Sequence, residues 1–243
     1  MHASFLVNEM YPCLQGEGVN LGKPSLLVRF QICNLRCSWC DTPYTHTFKS
    51  DPVSSTEPKG IQKFTRHSLN ELVTKIQSFK VNHLILSGGE PTLHNIGLLM
   101  RSLGSNYTAE VESNGTRIPH LQIPNFLNSD YFLMQWNISP KFSNANEKIN
   151  SEALEHWAKL SLQYDQIYFK FVIRKQEATE DLNEVLKIIS KFNISKHKVL
   201  LMPEGTSIES QICNVWLHDI CLKHSFRYTP RLHVLLFGNL RGV

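Results

Sequence analysis

Three of the chain's six cysteines fall within eight residues, as Cys33-x-x-x-Cys37-x-x-Cys40 in the stretch "VRFQICNLRCSWCDTPYTHT" (28–47). A cysteine binds metal as a thiolate, and thiolates this close repel one another unless cations lie among them. Four sulfurs would describe a closed structural site and two a redox pair; three leave two readings. Structural zinc takes four protein ligands, so His46 would have to complete a Cys3His set. Alternatively, a 4Fe–4S cluster held on three irons keeps its fourth iron open for a ligand that is not protein. The other cysteines, Cys13, Cys213 and Cys221, are scattered. Cys213 and Cys221 sit in an apolar helical pattern, and all three read as small buried hydrophobes.

The cysteines follow an apolar run of strand length, and further runs alternate with amphipathic stretches. Strands are predicted over 25–30, 83–87, 107–113, 131–139, 167–174 and 198–204, and helices over 68–79, 96–104, 151–162, 179–192 and 207–224. Ser68 and Glu71 form a capping-box pair before the first helix. Near-continuous apolar strands predict a parallel sheet covered on both faces. About six βα units are too few for a closed eight-fold barrel, so the expected fold is α/β, an incomplete barrel of the TIM type; a doubly wound sheet is the alternative. In either, chemistry belongs at the carboxyl ends of the strands. There stand the cysteine loop, Ser87-Gly88-Gly89-Glu90-Pro91, Glu112-Ser113-Asn114-Gly115, Ser139-Pro140-Lys141 and Met202-Pro203-Glu204-Gly205. Any one could be an ordinary turn, but five on one rim would build a pocket.

The 243 residues are expected to form one domain, 1–243, with a polar, aperiodic insertion at about 43–67 beside the cysteine loop. The apolar fraction of 42% supports a core that needs no staples. A formal charge of +4 falls short of a nucleic-acid binder and argues against direct nucleic-acid contact. "MHASFLVNEMYPCLQGEG" lacks the apolar core of a signal peptide, and no run approaches 18 apolar residues. The expectation is a cytoplasmic chain without membrane contact, whose clustered cysteines are ligands or catalytic groups, not disulfides.

The x3–x2 spacing resembles the signature of the radical S-adenosylmethionine (SAM) superfamily, and "SGGEP" resembles its second motif. The resemblance implies a 4Fe–4S cluster on Cys33, Cys37 and Cys40, Trp39 near the adenosyl group, and the Gly88-Gly89 turn receiving the methionine amino group. A glycine pair lets backbone approach a ligand closely and leaves its carbonyls and amides available.

Five further stretches narrow the resemblance: "LQGEG" (14–18), "CDT" (40–42), "ESNGT" (112–116), "SPK" (139–141) and "RLHVLLFGNLRGV" (231–243). Together they resemble the 7-carboxy-7-deazaguanine synthase family of the queuosine pathway. That resemblance implies a lyase performing a radical ring contraction of 6-carboxy-5,6,7,8-tetrahydropterin: hydrogen abstraction at C6, rearrangement and loss of ammonia give 7-carboxy-7-deazaguanine. It implies SAM near Cys40, Asp41, Gly89, Glu90, Ser113, Asn114, Ser139, Pro140, Lys141 and the Met202–Gly205 turn (Met202, Pro203, Glu204, Gly205), and Mg2+ on the Thr42 hydroxyl. Toward the pterin it implies Leu14, Gln15, Gly16, Glu17, Ser87 and His233, with Arg29 on the substrate carboxylate and the carboxylate of Val243 reaching into the site. A homodimer and an electron donor such as flavodoxin or ferredoxin are implied as partners. Read without the family, Arg29 is a strand-end salt bridge, Thr42 a turn residue, Lys141 a solvated surface lysine and His233 a structural histidine. The rival functions are another radical SAM enzyme, such as a glycyl-radical activase, and a zinc-stabilised binding module without catalysis.

Overall fold

The computed structural model describes residues 3–46, 64–118 and 134–242. Its strands form one nine-stranded sheet: β1 (Ser4–Leu14), β2 (Pro24–Phe30), β3 (Thr65–Ser68), β4 (His83–Gly88), β5 (Thr108–Ser113), β6 (Met134–Ile138), β7 (Ile167–Ile173), β8 (Val199–Pro203) and β9 (Arg227–Tyr228). The order is β3-β1-β2-β4-β5-β6-β7-β8-β9. From β2 onward every pairing is parallel, and the strands follow chain order without reversing. A doubly wound sheet would reverse at a switch point, so the progression is that of an open, partial barrel. The six predicted strands are the consecutive parallel strands β2 and β4–β8.

Helices α1 (Leu69–Gln77), α2 (Ile96–Leu103), α3 (Ser151–Ser161) and α4 (Ala178–Phe192) cover the outer face. The capping box is present: Ser68 Oγ accepts from the Glu71 amide at 3.4 Å, and the Glu71 carboxylate accepts from the Ser68 amide at 2.7 Å. Leu26, Val28 and Phe30 of β2, Val111 of β5, Trp136 of β6, Phe169 and Phe171 of β7, and Leu201 of β8 all enter one core under these helices. Trp136 and Trp157 meet there with ring centroids 4.7 Å apart.

Four expectations are corrected. The sheet is not apolar on both faces: residues facing inward alternate with the core set and include Arg29, Ser87, Glu110, Glu112, Asn137 and Lys170. The predicted strand over 25–30 is not the first: β1 precedes it, antiparallel to both β2 and β3. Its polar Glu9 and Tyr11 obscure the alternation by facing a cavity instead of solvent. The stretch 43–67, read as aperiodic, runs into β3 at its far end, where Thr65–Ser68 pairs with β1; residues 47–63 lie outside the described residues, as do 131–133 of the predicted fourth strand. The stretch 207–224 is two helices, α5 (Ile208–Gln211) and α6 (Val215–His224), broken where Cys213 takes φ +53°. Cys213 is therefore exposed, not buried; Cys221 is buried and Cys13 half-buried. A last helix, α7 (Leu232–Phe237), leads into the segment 238–242.

Candidate active site

The strand ends converge on a cavity of about 580 Å³, with the cysteine loop on one wall and β1, α7 and residues 238–242 on the other. The loop leaves β2 through Ile32, a β-branched residue held at φ +77°. That conformation is costly, and the surroundings enforce it: the Ile32 amide donates to the Thr45 carbonyl at 2.6 Å, and its carbonyl accepts from the Glu90 amide at 2.7 Å. Farther along, the Ser38 amide donates to the Ala145 carbonyl at 3.0 Å and the Trp39 indole to the Asn144 carbonyl at 2.9 Å. The Arg36 amide is bound by the Glu147 carboxylate at 2.5 Å.

Cys33, Cys37 and Cys40 are free thiols, and all three line the cavity. Burial pushes the Cys37 thiol up to about 11, against the pull of the Lys141 ammonium. Among the described residues no three His, Cys, Asp or Glu side chains converge as they would on a single ion. Three soft thiolate donors spread along one loop and open to a cavity fit an iron–sulfur cluster better than a closed zinc site. His46, the candidate fourth zinc ligand, stands with Nε2 3.2 Å from the Cys40 sulfur, a hydrogen-bond distance. Polar groups lie against Cys33 as well: the Leu35 amide is 3.4 Å from its Sγ and Asn114 Nδ2 is 3.9 Å from it.

The glycine pair packs against this loop. A Cβ at Gly89 would collide with the Ile32 carbonyl, and one at Gly88, where φ is +117°, with the backbone of Phe30. Contrary to expectation, its amides are not all available: the Gly89 amide donates to the Phe30 carbonyl at 2.9 Å and the next amide, of Glu90, to Ile32. Glu90 does not line the cavity. Fully buried, its carboxylate accepts from the Thr92 amide (3.0 Å) and hydroxyl (2.7 Å), the Ser113 hydroxyl (2.9 Å) and the Asn114 amide (2.8 Å). It locks the β4 and β5 loops together, which presents Ser113 and Asn114 to the cavity.

Ser139 and Lys141 line the cavity, whereas Pro140 turns to its outer side. Lys141 is not a solvated surface lysine. Its ammonium donates to the Ser139 hydroxyl at 2.6 Å and carbonyl at 3.0 Å and lies 5.3 Å from the Trp39 ring centroid. Burial lowers its pKa, with the cysteine thiolates and Glu17 opposing. Thr42 heads a short 3-10 turn, Pro43–Thr45, with its hydroxyl 3.8 Å from Cys40 Sγ. Asp41 forms an ion pair with Arg231. The Met202–Gly205 turn borders the same space, and the Gly205 carbonyl accepts from Arg231 at 3.0 Å.

The opposite end is charged and hydrogen-bonded. Lys170 bridges Glu17 and Glu112, the latter at 2.7 Å, and Arg231 also binds Glu17 at 3.1 Å. Burial would raise the Glu17 carboxyl, but Lys170, Arg231 and His233 hold it below the usual carboxylate range. Glu112 moves the other way: burial, with the Glu17 charge beside it, outweighs Lys170 and raises it. The shared Lys170 thus pulls on two carboxylates whose shifts run in opposite directions, Glu17 down and Glu112 up. Below them the fully buried Glu110 accepts from Gln15 (2.9 Å), Asn20 (2.7 Å), Asn137 (3.0 Å) and Gln135 (3.2 Å), with His83 Nε2 3.0 Å away. This floor fixes the amide of Gln15. His233, whose pKa burial lowers, stacks closely enough that a Cβ at Gly16 would meet its ring. Leu14 and Ser87 complete the lining. Arg29 faces the cavity but donates through Nε to Glu9 at 2.6 Å. Val243 lies outside the described residues.

Sequence reasoning missed Glu9, Tyr11, Tyr44, Glu112 as a charge partner, Lys170, Arg231 and Arg241, all of them lining residues. The two-residue alternation Glu110–Glu112 and the lone Lys170 in "IYFKFVI" were the available signals: a charge inside an apolar strand needs a partner.

Comparison with known proteins agrees with this architecture. The sequence profile of the radical SAM superfamily matches residues 27–209. The 7-carboxy-7-deazaguanine synthase of Pyrobaculum aerophilum is 31% identical over 97% of this chain and 96% of its own length. That of Halobacterium salinarum is 31% identical over 96% of this chain and 90% of its own. Crystalline QueE from Escherichia coli, at 23% identity, shares the fold with a TM-score of 0.67 over 93% of both chains. Cysteine loop, open barrel and relatives coincide, and the chain belongs to the 7-carboxy-7-deazaguanine synthase family of the radical SAM superfamily.

Proposed function

We propose that this chain is an enzyme converting 6-carboxy-5,6,7,8-tetrahydropterin into 7-carboxy-7-deazaguanine, with loss of ammonia, in queuosine biosynthesis. The observation that carries the reading is the sharing of one cavity by the three cysteines and a polar wall suited to a flat heterocycle. Cys33, Cys37 and Cys40 would hold the 4Fe–4S cluster, and SAM bound beside it supplies the hydrogen-atom abstraction that no side chain here can perform.

The chain's own groups bind, orient and exclude water. Gln15, held by Glu110, and Glu17, held ionised by Lys170 and Arg231, offer an amide and a carboxylate to the donor–acceptor edge of a pterin. Glu112, held by Lys170 and Asn137, adds a second carboxylate to the same wall. Arg29 would pair with the substrate carboxylate, and Ser87 and His233 would contact the ring. Ser139, Lys141, Trp39 and Asp41, with the glycine carbonyls and the Met202–Gly205 turn, are the proposed SAM contacts. The Thr42 hydroxyl is the proposed Mg2+ ligand, completed by water and substrate oxygens.

We extend the reading to its setting: a single domain with an insertion beside the cluster loop, a homodimer in the cytoplasm, reduced by a flavodoxin or ferredoxin. Among the described residues no helix is long and apolar enough to cross a membrane. The deciding experiment is anaerobic turnover by the reconstituted protein with SAM, reductant and Mg2+, beside a Cys37→Ala control. Formation of 7-carboxy-7-deazaguanine, lost in the control, is expected; SAM cleavage without pterin consumption would reject the assignment.

A further inference from the structure

Behind the polar wall lies a carboxylate that does not itself line the cavity. Glu110 is fully buried, and its five partners are all side chains. Its Oε1 accepts from Asn20 at 2.7 Å and faces His83 Nε2 at 3.0 Å. Its Oε2 accepts from the amides of Gln15 (2.9 Å), Asn137 (3.0 Å) and Gln135 (3.2 Å). Burial would raise this carboxyl, but the hydrogen bonds from His83, Asn20, Gln15 and Asn137 bring it below its ordinary value. An ionised carboxylate accepts and never donates.

That fixes the direction of an amide whose two ends differ in chemistry. Gln15, which lines the cavity, must turn its NH2 to Glu110, and the Glu17 amide donates to its Oε1 at 3.3 Å. Two separate contacts therefore give one orientation. Turning the amide over would set its oxygen against the Glu110 carboxylate and its NH2 against the Glu17 N–H. Asn137 uses both amide hydrogens, one on Glu110 and one on Glu112 at 2.7 Å. The groups gathered here, Gln15 Oε1 with the Glu17 and Glu112 carboxylates, are acceptors, and Lys170 and Arg231 are engaged with those carboxylates.

We propose that Glu110 is a positioning residue that sets the hydrogen-bond polarity of the wall: it holds Gln15 with its oxygen toward the ligand, so that the site reads the adjacent 2-amino and N3–H donors of a pterin and rejects a 2-oxo ring. The inference rests on the assigned substrate and adds the device that selects its pyrimidine edge. A 2-oxo group would set one acceptor against another, and Glu110 forbids the turn of Gln15 that would relieve the clash.

The test is calorimetric binding to the cluster-reconstituted, SAM-loaded protein without reductant, so that no turnover occurs. The two ligands are 6-carboxytetrahydropterin and the corresponding 2-oxo tetrahydrolumazine. Wild-type protein should favour the 2-amino ligand about 10- to 100-fold. In Glu110→Gln the group at 110 donates as well as accepts, so Gln15 is free to turn. The 2-oxo ligand should then bind about ten-fold tighter than it does to wild type, while the 2-amino ligand moves less than about three-fold. A floor that is merely loosened cannot produce a gain of affinity. The substitution is isosteric, and its partners, four amides and an imidazole, can turn or change tautomer to meet the new NH2. Adding Gln15→Glu to Glu110→Gln should restore the rejection, because a carboxylate at 15 has no donor to turn outward. Asn20→Ala removes one donor but leaves Glu110 an acceptor, so the ratio should stay within about two-fold of wild type. Equal binding of both ligands by wild type would overturn the proposal, as would parallel weakening of both or unchanged rejection in Glu110→Gln, or a relaxed ratio in Asn20→Ala. Wild-type protein that selects the 2-amino ligand yet fails to turn it over would refute the assigned reaction and leave the role of Glu110 standing.

Discussion

Replacing Lys170 by Met tests the charge network on which the site's shape rests. Lys170 has a side chain only 6% exposed and holds two carboxylates that are each 15% exposed. At the 2.7 Å separation from Glu112 and an effective dielectric of about 20, each pair has a gross Coulomb energy of roughly 6 kcal/mol. Desolvation of three charges consumes most of that, and removing one partner of a buried pair typically costs about 3–5 kcal/mol. Arg231 still binds Glu17, so the orphan in the variant is Glu112, whose pKa already lies above its ordinary value. Protonation relieves an orphaned carboxylate, so the cost should shrink as pH falls. In urea unfolding of the metal-free, reduced protein at pH 8, with a slope of about 2–3 kcal/mol/M, the midpoint should drop by about 1–2 M. At pH 5.5 the drop should be about half as large. Adding Glu112→Gln should recover more than half of the pH 8 loss, because the neutral amide needs no counter-ion. A loss below about 1 kcal/mol at pH 8, or an equal loss at both pH values, would refute this account of the network.

Wild-type stability should fall as pH drops below about 4.3, the unfolded value of a Glu carboxyl: Glu17 has a folded pKa beneath it, so its contribution is present above that value and is lost as pH drops toward the folded one; a urea midpoint unchanged between pH 5 and pH 3 would contradict it. Gly89→Ala should displace the cysteine loop, since its methyl meets the Ile32 carbonyl, and iron bound after reconstitution should fall several-fold; full iron content would show the loop can yield. Glu90→Gln places an NH2 against groups that are all donors, so at least one hydrogen bond becomes a clash and stability should drop by about 2–4 kcal/mol in thermal unfolding. His46→Ala should keep four irons per chain, because a hydrogen-bond donor to Cys40 is dispensable for assembly; loss of the metal would make His46 a ligand and revive the zinc reading.

The sequence displayed the outer half of this molecule and hid the inner half. Runs such as "HLILS" and the Ser68–Glu71 cap carry local signals, periodicity and a reciprocal hydrogen bond, that survive without tertiary context. The cysteine spacing is likewise local. What could not be read was β1, because Glu9 and Tyr11 look like loop residues until a cavity stands beside them. Nor could the partners of Lys170, since Glu17, Glu112 and Lys170 meet only when three separated strand ends close on one point. The glycine pair shows the limit of motif reasoning: its need for small residues was legible, but the reason, contact with the Ile32 and Phe30 backbone, came from the fold.

Holding the cysteine loop is itself a task of the fold, separable from whatever the loop holds. Its backbone is fastened at Ile32, Arg36 and Ser38, and its Trp39 indole to Asn144, and the strained φ of Ile32 persists because Thr45 and Glu90 bond both its peptide groups. Ordering a free loop costs about 1–2 kcal/mol per residue, a cost that ligand binding would otherwise have to offset. The hydrogen bonds to other segments offset part of that cost and present the thiols on one wall. The same economy explains Glu90. A buried carboxylate with four donors binds the β4 and β5 loops to each other, and the Glu90 amide bonds Ile32, so this one residue sets where Ser113 and Asn114 stand against the cysteine loop. Mutations there should therefore lower activity through misplacement, with the cysteines untouched.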